Sequence, residues 1–211
     1  MAVMDAPVEL YRDDNHKYWL GRENIPGVNE VMTALGFEQD PRYFGESCSS
    51  RGSVVHQVLA GVALGLTFDE DLLDPDLRGW VRSGITRLDY LRSKGAEILG
   101  AEEMFYHPIY KFAGQIDLRY RLGGRVCIDD WKTGAAPKTT RFKMGAYSLL
   151  IPQANGLPVQ KAAVEHDRNG GNAHPVYYNE PQHFHDGNRF VAYLTTFKDL
   201  RLYAPKENKP S

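Results

Sequence analysis

The chain has 211 residues, enough for one sizeable core with an appended helical portion, and its composition (42% hydrophobic, 25% charged) is ordinary for a globular protein. A net charge of −2 excludes a uniformly basic nucleic-acid binder, though not a local basic channel, because binding depends on where the charges sit. Two cysteines, Cys48 and Cys127, exclude a four-thiolate zinc or iron–sulfur site, and without an export leader a reducing cytoplasm is the expected compartment.

Residues 8–20 followed by GRENIPG read as a short hairpin leading into a helix at about 28–36. Ser53 to about Gly65 fits a helix with Val55, Val58, Leu59 and Val62 on one apolar stripe and His56 at its rim. The uncharged stretch 53–68 is shorter than the ~20 residues a membrane span needs, so no membrane association is expected. Asp76 to Lys94 is a second amphipathic helix, with Leu77, Trp80, Val81, Ile85, Leu88 and Leu91 inward and Gly95 as its stop. Arg78 and Arg82 share one face of it, which can either meet phosphates or simply be solvated.

Strands are expected at about 98–107, 112–122 and 125–132, a helix at 139–151, strands at 160–167 and 174–179, and a last helix at 182–202. The tail APKENKPS reads as frayed, and His183 and His185 as surface residues at a helix start. The pattern predicts one α/β (α+β) domain over 1–211: a central mixed β-sheet flanked by helices over 98–203, preceded by a hairpin and helical portion over 1–97 and followed by the tail 204–211.

Chemistry concentrates in GQIDLRYRLGGRVCIDDWKTG, Gly114 to Gly134. If Gly123-Gly124 forms a two-residue turn, Leu122 faces Arg125, Asp117 falls opposite Asp130, and Gln115 opposite Lys132. Asp117, Asp130 and Lys132 then project from one face, with opposed Cβ atoms about 4.5–5.5 Å apart. Two carboxylates so close share a proton or grip a cation, and oxygen ligands favour a hard ion, Mg²⁺ or Mn²⁺. Lys132 would reach the same volume without ligating the ion. The same register sets Arg119 against Ile128 and Arg121 against Val126, so a bulge or strong twist is expected beyond the site. The bland alternative is an exposed hairpin with scattered charge.

These residues resemble the PD-(D/E)xK nuclease superfamily, particularly its RecB-like phage and recombination exonucleases. HKYWLGRENIPGVNEVMTALGF is similar to the family's H-x-Y segment and P-S-V-T helix start, and RGSVVHQVL to its G-x-x-x-H helix. AEEMFYHPIYKFAGQID resembles the E-to-G-x-x-D block, IDDWKTG the I-D-x-K-T-G strand, and KMGAYSLL the Q-x-x-x-Y helix. Five blocks in order are more specific than any one, and an accidental hairpin would have to explain them all.

The resemblance implies a restriction-endonuclease-like core and a site holding one or two Mg²⁺ or Mn²⁺ ions. His56, Asp117, Asp130 and the Trp131 carbonyl would be the ligands, and Lys132 the catalytic lysine. Glu102 would be the acidic residue at the strand start, with Glu103 a rival, and Tyr147 would face the site or the DNA backbone. Lys143, Arg51, Arg78 and Arg82 are the candidate DNA contacts. Ile116 departs from the eponymous proline, Gly27 and Asn29 from the helix-start Ser and Thr, and Lys143 from the usual Gln.

What is implied is a metal-dependent deoxyribonuclease, an exonuclease acting at DNA ends in a bacterial host cytoplasm if phage-encoded, with a single-strand-annealing or recombination protein as partner. The alternatives are a structure-specific endonuclease or nickase of the same fold and an inactive DNA-end-binding module.

Overall fold

A computed structural model describes residues 9–38, 46–151 and 157–203, with 46–50 as backbone alone. The tail and the Cys48 side chain lie outside the described residues. The chain opens on a three-stranded antiparallel sheet: β1 (Leu10–Arg12), β2 (Tyr18–Leu20) and β3 (Glu23–Ile25). The expected hairpin thus gains a third strand, because the two-residue link Gly21-Arg22 turns the chain back so that Leu20 pairs with Glu23.

Helix α1 (Val28–Ala34) follows, starting from Gly27. The Glu30 carboxylate accepts the Gly27 N–H at 3.3 Å, which supplies half of a capping box. A side chain at Gly27 is barred by space, since a Cβ there would lie 2.9 Å from the Tyr18 ring. The missing Ser is therefore imposed by packing.

Helix α2 (Glu46–Ala63) begins a full turn and more before the expected Ser53. Helix α3 (Pro75–Ser93) is started by Asp74, whose carboxylate accepts the Asp76 N–H, with Pro75 in the first turn. Then come β4 (Glu97–His107), β5 (Phe112–Leu122), β6 (Arg125–Lys132), α4 (Thr140–Leu150), β7 (Gln160–Glu165), β8 (His174–Tyr177) and α5 (Asp186–Tyr203). The five-stranded sheet runs β4-β5-β6-β7-β8, antiparallel throughout except for β6 and β7, which are parallel and linked across α4. This is the mixed sheet flanked by helices that the sequence predicts.

Two apolar clusters cover the sheet. One packs α1, α4 and α5 residues such as Val31, Met144 and Phe190 against Phe112, Ile116 and Ile128. The other packs α2 and α3 residues such as Leu59, Trp80 and Leu88 against Leu118, Trp131 and Val164. Strand β5 feeds both. Ile116 joins the first cluster and Leu118 the second, although alternate residues of a regular strand share a face. The strand therefore changes face between Ile116 and Leu118, at Asp117.

Asp186 is fully buried and receives the Arg141 guanidinium, His183 Nδ1 at 2.9 Å and Arg189 Nη1 at 3.3 Å. His183, expected at the surface, is thus a buried partner of the α5 start. It lies on a 3₁₀ turn (Pro181–His183), which is why α5 begins after residue 182. Among the described residues, no helix is long and apolar enough to cross a membrane.

Candidate metal centre

The Gly123-Gly124 turn has positive φ at both residues (56° and 75°), the conformation of a type I′ hairpin, which glycine adopts without steric cost. The register follows: Leu122 pairs with Arg125, and pairing continues without slip to Leu118 and Asp129. No bulge breaks this ladder, so that half of the expected bulge or twist is absent from it. Arg119 and Arg121 are accommodated from the other side, where β4 offers Glu103 and Glu97. The irregularity lies between β4 and β5, at Ile98/Gly100.

Asp117 and Asp130 are each the first residue beyond the last paired rung. Instead of continuing the ladder, Asp117 Oδ2 accepts the Trp131 backbone N–H at 2.6 Å. On β4, Glu102 adopts φ +53°, left-handed backbone that a carboxylate residue rarely takes inside a strand. Neighbouring strand residues face opposite sides, so Glu102 and Glu103 meet different partners. Glu103 turns to Arg119, with bonds of 2.8 and 2.9 Å, while Glu102 turns to His56.

His56 Nδ1, from α2, lies 3.4 Å from Glu102 Oε1 and 3.6 Å from Asp117 Oδ2. Ligand atoms of His56, Glu102 and Asp117 all fall within 4.8 Å of one another. The imidazole stands edge-on to the buried Trp131 ring, centroids 5.7 Å apart. A mixed imidazole and carboxylate set suits a hard or borderline divalent cation. Glu102 Oε1 and Asp130 Oδ2 are both buried without a hydrogen-bond partner; Asp130 Oδ2 faces the Lys132 ammonium, whereas Glu102 Oε1 faces only the His56 ring, an acceptor of the kind a cation satisfies.

Asp130 stands outside this trio. Its Oδ2 meets the Lys132 ammonium at 2.7 Å and its Oδ1 the Lys143 ammonium at 3.1 Å. Lys143 was expected to face DNA, but it is buried under α4, because residue 143 lies on the helix face that also carries Met144 and Tyr147 into the core. Tyr147 is buried as well, one turn along, its ring 5.5 Å from the Lys143 nitrogen. It belongs to the apolar cluster around Met144 and Phe190 and is not open to a DNA backbone.

The remaining basic candidates are engaged elsewhere. Arg78 binds the Leu73 carbonyl and Asp71, Arg82 pairs with Glu70 at 2.5 Å, and Arg51 lies over the Trp80 ring. The 3₁₀ turn Glu70–Leu72 thus claims both α3 arginines. The hairpin register sets Gln115 beside the candidate site without giving it a role, and no sequence signal points to Arg12. The Gln115 amide donates to Glu102 Oε2, and Arg12 Nη1 donates to Gln115 Oε1 at 2.5 Å, so β1 braces the Glu102 carboxylate through one intermediary.

The electrostatics follow from this crowding. Burial pushes Asp117 up to about 6, with the His56 imidazole opposing and the Asp130 and Glu102 charges adding. Burial disfavours a charged His56, but the Asp117, Glu102 and Asp130 carboxylates outweigh it and raise the imidazole above its ordinary value. Burial would also raise Asp130, yet the two ammonium groups hold it well below the carboxylate range. Lys143 is raised well above its ordinary value, because the Asp130 charge overcomes burial.

No protein-family model matches the sequence, and no curated protein does. Among solved structures, a crystal structure of LHK-Exo in complex with dAMP is similar to the chain at 14% identity and a TM-score of 0.37, covering 85% of this chain and 90% of that one.

Proposed function

We propose that the protein is a divalent-metal-dependent nuclease that hydrolyses phosphodiester bonds at DNA ends. The observation that carries the reading is the trio His56, Glu102 and Asp117 within 4.8 Å, beside the Asp130–Lys132 pair on the next strand. A divalent cation held by the trio would supply the positive charge that polarises a phosphoryl oxygen and acidifies a water. Trp131 N–H fixes the Asp117 carboxylate, and Gln115 orients Glu102, so two of the three donors are pre-set. Lys132, part-exposed, holds its ammonium against Asp130, where it would neutralise charge developing on a phosphate. Mn²⁺ suits the imidazole donor somewhat better than Mg²⁺. The choice of DNA ends rests on the family resemblance of the five sequence blocks.

The test is incubation of end-labelled linear duplex and of covalently closed circular DNA with Mg²⁺ or Mn²⁺. Degradation of the linear form with the circle intact supports an exonuclease; nicking of the circle favours the endonuclease alternative. Lys132→Ala should lower cleavage about 10²–10³-fold, as loss of a preorganised donor does. Full activity in that variant would overturn the reading. Asp130→Ala is the poorer probe, because it strips the buried Lys143 of its counter-charge and so threatens the fold as well.

A further inference from the structure

We propose that the Lys143 ammonium is a built-in cation of the centre. On the Asp130 side it takes the place a second divalent ion would otherwise fill, so that the chain binds one divalent ion, at His56, Glu102 and Asp117. This deepens the nuclease reading above and rests on it.

Both oxygens of Asp130 already face positive charge, Oδ2 toward Lys132 at 2.7 Å and Oδ1 toward Lys143 at 3.1 Å. The two lysines differ in freedom. The Lys132 side chain keeps 21% of its surface exposed, whereas Lys143 keeps 8%. Lys143 is anchored by a helix whose neighbouring residues Met144 and Ala146 are fully buried, and its ammonium is flanked by the Tyr147 ring. Swinging it out to admit a metal ion would disrupt this packing and give up the ion pair.

Charge counting points the same way. Glu102, Asp117 and Asp130 bring three negative charges, and Lys132 and Lys143 two positive ones. One divalent ion then leaves a single positive excess, which one phosphodiester charge cancels. A second divalent ion would leave the buried site with three excess positive charges, a severe cost where water screens poorly. A lysine therefore completes the site as a fixed monovalent charge, leaving the trio, among the described residues, as the position for a divalent ion.

The test counts Mn²⁺ bound to the protein alone, without DNA, by electron paramagnetic resonance of the free ion and by calorimetry. Wild type should bind one ion per chain, Lys143→Arg one, and Lys143→Gln two. Lys143→Met, which fills the same space without needing a partner, should also gain a second ion and serves if the Gln variant does not fold. Asp117→Asn should bind none, which needs no change at Lys143. Two ions in wild type, one ion in folded Lys143→Gln or Lys143→Met, or a residual ion in Asp117→Asn would overturn the inference while leaving the nuclease reading intact. No ion in wild type would overturn both.

Discussion

Asp117 Oδ2 accepts the Trp131 backbone N–H at 2.6 Å, so a side chain takes over the place of a backbone rung where β5 and β6 part. The carboxylate is thereby held by one strand while belonging to the other. Because that bond needs only an acceptor oxygen, an amide can keep it while losing the charge.

Asp117→Asn should therefore stabilise the metal-free protein at neutral pH. The folded-state value of Asp117 is raised above that of the unfolded chain, so its contribution is fully present below the unfolded value and is lost as pH rises through about 6. At pH 7.5 the buried charge is a burden of about 1–3 kcal/mol, scaled from one pKa unit being about 1.4 kcal/mol. Thermal melts with and without Mn²⁺ check this: the variant should melt several degrees higher without metal and gain nothing when Mn²⁺ is added. A variant that melts lower and still responds to Mn²⁺ contradicts the assignment.

Cation binding should release protons. His56 and Asp117 both hold their protons more tightly than usual, and both must lose them to act as ligands. Affinity for Mn²⁺ should fall as the pH drops to and through about 6, where Asp117 takes up its proton, approaching tenfold per pH unit for each proton displaced. Calorimetry at pH 6 in two buffers of different ionisation heat reads the proton count directly, and identical heats would contradict it.

Neighbouring glutamates should part ways under the same substitution. Glu102→Gln removes a donor from the trio and should weaken Mn²⁺ binding at least tenfold, within the range known for metal-site residues. Glu103→Gln loosens a part-exposed pair with Arg119, costing about 0–1 kcal/mol of stability and leaving Mn²⁺ affinity unchanged. Titration of both variants decides it; equal losses of affinity would refute the separation.

Asp129 and Asp130 are adjacent yet serve opposite faces of the sheet. Asp129 Oδ2 receives Arg87 Nε and Nη2, both at 3.1 Å, and Oδ1 accepts the Tyr120 hydroxyl at 3.2 Å, all within the α2–α3 side of the core. Asp129→Ala strands a buried guanidinium and should cost about 3–5 kcal/mol in urea unfolding. A loss below about 1 kcal/mol would show that the network contributes little.

The order of elements, the Gly123-Gly124 turn and the pairing of Leu122 with Arg125 were legible in the sequence, because two-residue turns and strand periodicity are local rules. The same arithmetic set Asp117 directly opposite Asp130, a rung the structure does not form. It could not see that the ladder would stop one rung short of them, since that depends on the Trp131 N–H finding a carboxylate. Likewise it left Glu102 and Glu103 as rivals. Strand alternation puts them on opposite sides, and which side faces Arg119 and which His56 is decided by the packing of β5 and α2.

His56 at the rim of an apolar stripe was a question of spacing, and the tertiary structure answered it by setting α2 over the open end of β5. Lys143 was misread as facing DNA because a helix shows which residues share a face, not what that face will meet. The sequence by itself determined which residues carry charge and how they are spaced along each element. Only the packing of α4 over Asp130, and of β1 behind Gln115, decided which charges are buried against one another. Burial is a property of the assembled layers, and the energy of a charge depends on burial more than on its place in the chain.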